Sequence, residues 1–380
     1  MYINLALLAA FILVYSTTGK GLERTQFNGA VVFTAFGLAF GPMGAGLLNL
    51  NVNAEGMRLI AELTLAVVLF TDAANVNFRV LEQFVSLPVR LLLVGLPLTI
   101  LLGFGLGVLM LDGLTLLEIA ILATMLAPTD AALGKAVVTD EAVPTRIRES
   151  LNVESGLNDG ICVPILFVFI ALANGEAAQA QPTMLALKLV AEEIGIGLAS
   201  GIGVTALGIG LLRMADRHDW MTEDWRQLPV VALAIVCFSV AQTAGGSGFI
   251  AAFTSGLLFG RMEKQQKGAL LLSAEAAGDT LSLLTWVIFG AGVIGQVMGA
   301  FRWQDLLYAL LSLTAIRMVP VFVVLAGTDL RTDEKMFLGW FGPRGLASIV
   351  FAVIVLNEQL PGGRTIRSLT IPMIAILAPL

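Results

Sequence analysis

Charged residues are scarce in this sequence. Only 13% of the 380 residues are Asp, Glu, Lys or Arg, where an ordinary soluble protein carries about 25%. The 28 acidic residues outnumber the 22 basic ones, and the formal net charge of -6 argues against an overall attraction to nucleic acid. The scarcity of charge therefore excludes a nucleic-acid binder, a disordered tail and an ordinary soluble globule.

Cysteine and histidine are nearly absent. The two cysteines, Cys162 and Cys237, lie far apart in apolar runs, so the sequence offers neither a disulfide framework nor a zinc cluster. The single histidine, His218, lies in the most polar stretch, 213–227, where a solvated surface residue is far more common than a metal ligand. We expect no cofactor.

Apolar residues are abundant and make up 57% of the chain. They form runs that repeatedly reach the roughly 20 residues needed to cross a bilayer as a helix. We therefore predict an all-α, polytopic membrane protein with about 13 spans in one transmembrane domain, residues 1–380. The predicted spans lie near residues 2–18, 28–49, 58–78, 88–110, 115–138, 151–173, 184–213, 228–243, 246–261, 268–299, 304–327, 335–357 and 366–380.

Lysine and arginine alternate between the two sides of these spans, which predicts the orientation of the chain. Most of them fall in one set of loops, with Arg146, Arg213 and Arg261 as examples, while few, such as Arg58 and Lys188, fall in the other set. Because basic loops face the cytoplasm, we expect the N-terminus outside. The odd number of spans then places the C-terminus in the cytoplasm.

A few charged side chains fall within predicted spans. A charge at the bilayer centre costs about 3 kcal/mol or more, so those that persist usually face a cavity and serve transport. These residues are Asp130, Glu154, Asp159, Arg317 and Arg344. Their presence predicts a polar site at membrane depth.

Two of the spans that hold these charges also contain helix-breaking residues. Pro128 precedes Thr129 and Asp130 in span five, and Pro343 precedes Arg344 in span twelve. One interrupted span in each half of the chain is typical of transporters with inverted repeats and two discontinuous crossing helices. In such a crossing Asp130 would balance exposed helix N-termini and Arg344 exposed C-termini. The alternative is a pair of merely kinked helices.

Helix geometry brings several polar groups together. Asp130 and Asp159 each lie roughly 12 Å from the inner end of their spans, so the two carboxylates can meet near the midplane. Ser155 shares a helix face with Asp159, and Glu154 shares the adjoining face with Asn158. Oxygen ligands from Asp130, Asp159, Ser155 and Thr129 suit a hard monovalent cation, Na⁺ or Li⁺. A buried carboxylate also takes up a proton readily, so a cation and a proton can compete for it.

Four stretches carry a resemblance to a known family. They are 127–130, 151–159, 245–252 and 339–348, which read Ala-Pro-Thr-Asp, Leu-Asn-Val-Glu-Ser-Gly-Leu-Asn-Asp, Gly-Gly-Ser-Gly-Phe-Ile-Ala-Ala and Gly-Trp-Phe-Gly-Pro-Arg-Gly-Leu-Ala-Ser. In these stretches the sequence resembles the NhaP-type bacterial monovalent cation:proton antiporters. The resemblance implies that Asp159 carries the cation and the proton, and that Asp130, Ser155 and Thr129 complete the ion shell. It also implies the bacterial cell membrane as the location.

The resemblance assigns further roles. Asn158 stands where electrogenic relatives have a second aspartate, which implies electroneutral exchange of one proton per cation. Glu154 is implied to pair with Arg317, a choice that spacing alone leaves open between Arg317 and Arg344. An alternating-access transporter is expected, with an ion-binding bundle that includes spans near 115–173 and 304–357. The remaining spans would partly form a scaffold for a homodimer.

The sequence is also compatible with other interpretations. Asp72 in span three could gate an entry funnel or be a structural carboxylate near the interface. A K⁺/H⁺ antiporter of the same fold would use the same oxygen ligands. An intramembrane aspartyl protease also needs two membrane-depth aspartates, but the sequence lacks its Gly-x-Gly-Asp segment. A passive cation channel would not need a carboxylate that takes up protons, so we expect a transporter and not an enzyme.

Overall fold

The fold was described from a computed structural model of the chain. The description covers residues 2–22, 29–48, 54–76, 86–130, 143–173, 182–222, 225, 228–262, 267–294, 302–342 and 345–357. Within these residues the regular structure is entirely helical. The prediction of an all-α protein is therefore confirmed for the described part of the chain.

The described part of the chain forms a series of helices. The first six are α1 (Tyr2–Leu22), α2 (Gly29–Phe40), α3 (Ala54–Asn75), α4 (Ser86–Met110), α5 (Leu116–Met125) and α6 (Thr145–Ala173). The others are α7 (Pro182–Arg217), α8 (Pro229–Thr243), α9 (Gly248–Met262), α10 (Lys267–Ile288, continued by a wide π turn, Phe289–Ile294), α11 (Trp303–Val324), α12 (Thr332–Trp340) and α13 (Leu346–Asn357).

These helices coincide with the first twelve predicted spans. Six of them are long and apolar enough to cross a membrane: α1, α4, α6, α7, α10 and α11. Span two is shorter than predicted, because α2 ends at Phe40 and turns follow at 41–46, where Pro42 lacks a backbone donor and Gly46 has a positive φ of 67°. The thirteenth span, 366–380, lies outside the described residues, so the number of spans stays a prediction.

Two predicted spans are interrupted. The helix of span five ends at Met125 and residues 126–130 are not helical. Span twelve is divided between α12, which ends at Trp340, and α13, which begins at Leu346. The residues that follow the first break, 131–142, lie outside the described part of the chain, as do Pro343 and Arg344 within the second. The full course of two crossing helices and the inverted repeat therefore stay predictions.

Small residues let some helices approach closely. On α9, a Cβ at Gly256 would overlap the carbonyl of Phe70, and a Cβ at Gly260 would overlap the carbonyl of Ala74. The spacing of four residues places both glycines on one face of α9, which lies against α3. Helices α3, α7, α8, α9 and α10 pack around this contact, while α4, α5, α6, α11 and α12 pack around one another.

In the described part of the chain, most of the basic residues lie at one end of the bundle. Arg213 near the end of α7 donates to the carbonyl of Met262 at the end of α9, at 2.9 Å. Arg146 at the start of α6 pairs at 2.9 Å with Asp329 in the turn after α11, and this hydrogen bond holds the pKa of the exposed Asp329 carboxyl below its usual range. We call this side of the molecule the basic end. The start of α3 and the start of α7 lie at the opposite end.

Candidate ion-binding site

The break after α5 supplies the first part of the site. A capping box begins α5, because the side chain of Thr115 accepts from the backbone of Glu118 while Glu118 accepts from the backbone of Thr115. The helix ends ten residues later, and Pro128 keeps the following backbone from closing another helical turn. Thr129 is buried and Asp130 is half-buried in this non-helical segment.

Helix α6 supplies the second part. Asp159 is 7% exposed and Asn158 is 1% exposed. The amide nitrogen of Asn158 donates to Thr129 twice, to its hydroxyl at 2.8 Å and to its carbonyl at 3.2 Å. These bonds fix α6 against the break. Asp130 lies close enough to Asp159 for their charges to interact, so the structure brings together the two carboxylates that the sequence pointed to.

The break between α12 and α13 lies directly against the first one. A Cβ at Gly345 would overlap the carboxylate of Asp130, so only glycine allows this approach. The hydroxyl of Ser348, in the first turn of α13, donates to the carbonyl of Met125 at the end of α5, at 2.8 Å. Neither Gly345 nor Ser348 could be identified individually from the sequence. The only signal was their place in the stretch 339–348.

Glu154 and Arg317 form a buried ion pair beside the breaks. Two nitrogens of Arg317 donate to the two carboxylate oxygens of Glu154, at 2.9 and 3.1 Å. Glu154 is 4% exposed and Arg317 is 3% exposed. The planar fork of the guanidinium fits the carboxylate, which makes this a strong type of charged hydrogen bond.

Arg317 also acts on the second break. It donates to the carbonyls of Leu338 and Phe341 at 3.3 and 3.4 Å, which lie at the C-terminal end of α12. A Cβ at Gly342 would overlap the Arg317 side chain. A cation is favourable at a helix C-terminus, so Arg317 takes the role at this helix end that helix geometry had suggested for Arg344. Arg344 lies outside the described residues, and its own role stays a prediction.

Asp72 is a third acidic residue near the site, and it lies on the side toward the basic end. Gly156 of α6 faces the backbone carbonyl of Asp72 in α3, and the Asp72 side chain is half-buried. The charges of Asp130 and Asp159 interact with it. Farther toward the basic end, the amide of Asn75 donates to Glu275 at 2.5 Å, and Asp279 and Glu275 also interact with Asp72. Asp72 therefore lies next to Asp130 and Asp159. It is not an isolated carboxylate near the membrane surface.

The described residues do not form a compact metal cage. No three His, Cys, Asp or Glu side chains among them converge closely enough to hold a metal ion. What the structure brings together is a pair of carboxylates, a hydroxyl and a backbone carbonyl at two helix breaks. Such oxygens suit a weakly held hard cation, and a carboxylate shielded from water suits a proton. An all-helical membrane fold with this site is the arrangement of a secondary ion transporter.

The chain belongs to the sodium/hydrogen exchanger family. The family model described as "Sodium/hydrogen exchanger, transmembrane" matches residues 7–379. Among solved structures, the chain is similar to the sodium proton antiporter MjNhaP1 from Methanocaldococcus jannaschii at pH 8, with a TM-score of 0.78 and 18% identity over 99% of this chain and 96% of that one. At this identity the likeness shows the fold. The chain is thus a multi-pass membrane protein of the antiporter fold.

Several proteins of similar sequence are named as antiporters. The Na⁺/H⁺ antiporter of Schizosaccharomyces pombe is 25% identical over 93% of this chain and 79% of its own length. The Na⁺/H⁺ antiporter ApNhaP of Aphanothece halophytica is 25% identical over 86% of this chain and 62% of its own length. The K⁺/H⁺ antiporter NhaP2 of Shewanella sp. (strain MR-4) is 22% identical over 94% and 61%. The chain spans about three fifths of the length of the last two relatives.

Proposed function

We propose that this protein is a secondary antiporter that exchanges Na⁺, with Li⁺ as a second substrate, for H⁺. The observation that carries the proposal is the position of Asp159. This carboxylate is buried at the crossing of two helix breaks, beside a second carboxylate and a polar backbone segment. A cation and a proton would compete for this carboxylate. The competition alone is enough to couple the cation gradient to the proton gradient.

The proposed ion shell consists of Asp159, Asp130, Ser155 and Thr129. Ser155 lies one turn before Asp159 on the same face of α6, and Thr129 is held beside α6 by Asn158. The amide oxygen of Asn158 is buried and has no hydrogen-bond partner among the described residues. A buried oxygen in that condition suits a site that accepts an ion or a water molecule. Asp72 would receive the ion from the basic end.

The proposed exchange is electroneutral, with one proton for each cation. Asn158 cannot ionise, so Asp159 is the titrating side chain of the 158–159 pair. We propose alternating access in which the helices around the site move past α3, α7, α8, α9 and α10, in a homodimer of the bacterial cell membrane. The basic end would face the cytoplasm, with the N-terminus outside and the C-terminus inside, because basic loops are retained there.

The test is cation-dependent proton flux in proteoliposomes. An inward Na⁺ or Li⁺ gradient should drive protons outward through the native protein. Asp159→Asn, which keeps the shape of the side chain but neither charge nor proton, should abolish the flux. Asp329→Asn is a matched control on an exposed aspartate far from the breaks, and it should leave the flux unchanged. Sodium-driven flux of native size in Asp159→Asn would contradict the proposal.

K⁺/H⁺ exchange is the second candidate. It is favoured by the similarity to the Shewanella proteins named K⁺/H⁺ antiporter NhaP2. The same vesicles, loaded in turn with Na⁺, Li⁺ and K⁺, decide between the two. Flux driven by K⁺ alone would replace the sodium assignment, while the role of Asp159 would be unchanged.

A further inference from the structure

An aromatic ring of α9 lies on α6 immediately beyond Asp159. A Cβ at Gly160 would lie 2.5 Å from Cδ2 of Phe253 and nearly as close to two other ring atoms. Any residue other than glycine would therefore push the ring away. Phe253 itself is half-buried, although it touches the helix next to the proposed ion carrier.

The surroundings of Asp159 differ on its two sides. Toward the basic end lie the half-buried Ser155 and Asp72, and then the hydrogen-bonded pair Asn75 and Glu275. Toward the opposite end, α6 continues with buried apolar side chains, all less than a tenth exposed: Cys162, Val163, Leu166 and Ile170. Among these residues, the polar side chains that could hydrate an ion lie on the side of Asp159 toward the basic end.

The packing of α9 against α3 fixes the height of the ring. Gly256 of α9 meets the carbonyl of Phe70, and Phe253 lies about one turn farther from the basic end. On α6, Gly156 faces the carbonyl of Asp72, and Gly160 lies about one turn farther in the same direction. The ring is therefore on the far side of the acidic groups, at the boundary between the polar and apolar surroundings.

Gly156 and Gly160 are alike in one respect. They are four residues apart, so they lie on one face of α6 about 6 Å from each other along the helix axis. A shift of α6 by one turn past α9 would replace Gly160 by Gly156 beneath the ring. The same shift would carry Asp159 from one side of the ring to the other. One-turn movements of packed helices are a known form of switching.

We infer that Phe253 is a fixed apolar barrier past which Asp159 moves, with Gly160 beneath the ring in this conformation and Gly156 beneath it after a one-turn shift. The inference rests on the proposed role of Asp159 as the ion carrier. An apolar constriction blocks hydrated ions by excluding water. In each of the two positions of α6, the barrier would close the ion path on one side of Asp159. Cations could then not leak through the protein, and cation movement would stay coupled to proton movement.

Thiol labelling tests the barrier without relying on transport. Val163→Cys, introduced after Cys162→Ser and Cys237→Ser, places a thiol on the Asp159 face of α6, one turn beyond it. A membrane-impermeant maleimide added at the surface of the basic end should label it slowly in the native background, because the ring of Phe253 on Gly160 lies between the acidic groups and Val163. Phe253→Ala should speed this labelling about tenfold, because water and reagent then pass the position of the ring and reach the thiol. Equal labelling rates with and without Phe253→Ala would overturn the barrier.

A second aromatic residue provides the matched control. The ring of Phe238 in α8 lies on Gly248 of α9 in the same manner, but within the helices remote from the breaks. Phe238→Ala removes the same number of ring atoms and should leave labelling of the introduced thiol slow. Phe253→Leu, which keeps an apolar side chain, should give an intermediate rate and serves if Phe253→Ala does not fold. A uniform increase in all three variants would indicate general loosening and would also overturn the inference.

Gly156→Ala tests the shift. In this conformation a Cβ at Gly156 would lie an ordinary 3.4 Å from the Asp72 carbonyl oxygen, so thermal stability should be unchanged. In the shifted state the Cβ would meet the ring, so sodium-driven proton flux should fall about tenfold. Native flux in Gly156→Ala would overturn the two-position model. If the native protein moved no cation against protons, the proposed function would fail, while the labelling rates would still decide whether Phe253 is a barrier.

Discussion

Glu154 and Arg317 compensate each other's charge in the interior of the protein. Without its partner, each would be a buried and unpaired charge. Removing one partner of such a pair costs about 3 to 5 kcal/mol. We therefore expect Glu154→Gln to lower the unfolding temperature in detergent by several degrees, since the positive charge of Arg317 loses its counter-charge.

The exposed pair formed by Arg331 and Asp333 is the control for this prediction. Both side chains are mostly exposed, and an exposed pair contributes about 0 to 1 kcal/mol. Asp333→Asn should therefore leave the unfolding temperature within error of the native value. An equally small change in Glu154→Gln would show that the buried pair does not stabilise the fold.

Asn158 also has a structural role that limits how it can be replaced. Its amide nitrogen donates both hydrogen bonds to Thr129, and an aspartate cannot donate them. We expect Asn158→Asp to raise the KM for Na⁺, because loss of these bonds displaces the non-helical segment around Thr129. We also expect exchange to stay insensitive to an imposed membrane potential, because the displaced site would not carry a second proton. The measurement is flux in vesicles with and without a potassium diffusion potential.

Asn152→Asp is the matched control, since Asn152 lies on the same helix and is exposed. It should leave both KM and potential dependence unchanged. A strong potential dependence in Asn158→Asp, with KM unchanged, would show that the identity of this residue alone sets the stoichiometry and that its hydrogen bonds do not matter.

The sequence pointed to the charged residues that the structure brings together, but it did not predict most of the contacts around them. Asp130, Glu154, Asp159 and Arg317 could be found because a charge in an apolar span is conspicuous. Spacing could not choose between Arg317 and Arg344 as the partner of Glu154, because that choice depends on how separate helices meet. Phe253 gave no signal, since one more phenylalanine in an apolar helix looks like any other.

At the scale of helices, close approach depends on glycine. Gly256 of α9 lies so near the carbonyl of Phe70 that a Cβ would overlap it. Gly256→Ala should therefore separate α9 from α3 and lower the unfolding temperature. Overpacking of this kind typically costs about 1 to 3 kcal/mol. Thermal unfolding in detergent measures the effect.

Gly203 of α7 provides the control for Gly256→Ala. A Cβ at Gly203 would have nothing within 4 Å, and alanine is a better helix former than glycine by about 1 kcal/mol. Gly203→Ala should leave the unfolding temperature unchanged or raise it. If both substitutions raised it, the contact of α9 with α3 would not be as close as described.

Helix existence could be predicted from the sequence, whereas helix interruption could be predicted only in part. Pro128 and the segment around Pro343 marked both breaks, because proline removes a backbone donor. Their contact through Gly345 and Asp130, and the hydroxyl of Ser348 on Met125, depend on tertiary packing. A sequence pattern does not specify which helix ends face each other.

For the whole molecule, the proposed transport uses one buried carboxylate, Asp159, which would carry either Na⁺ or H⁺. The acidic groups Asp72, Glu275 and Asp279 lie toward the basic end, and the apolar part of α6 lies toward the other. We therefore expect the site to be approached from the basic end in this conformation. Movement of the site past a fixed barrier would expose it to the other side.

The proposed exchange requires that Na⁺ and H⁺ compete for Asp159, and the pH dependence of the sodium KM measures this competition. In proteoliposomes, the KM for Na⁺ in sodium-driven proton flux should rise as pH falls, approaching tenfold per pH unit once Asp159 is mostly protonated, because a proton must leave before sodium binds. The maximal rate should stay nearly constant over the same range. A KM that is independent of pH, with a maximal rate that falls on acidification, would contradict competition at a single carboxylate.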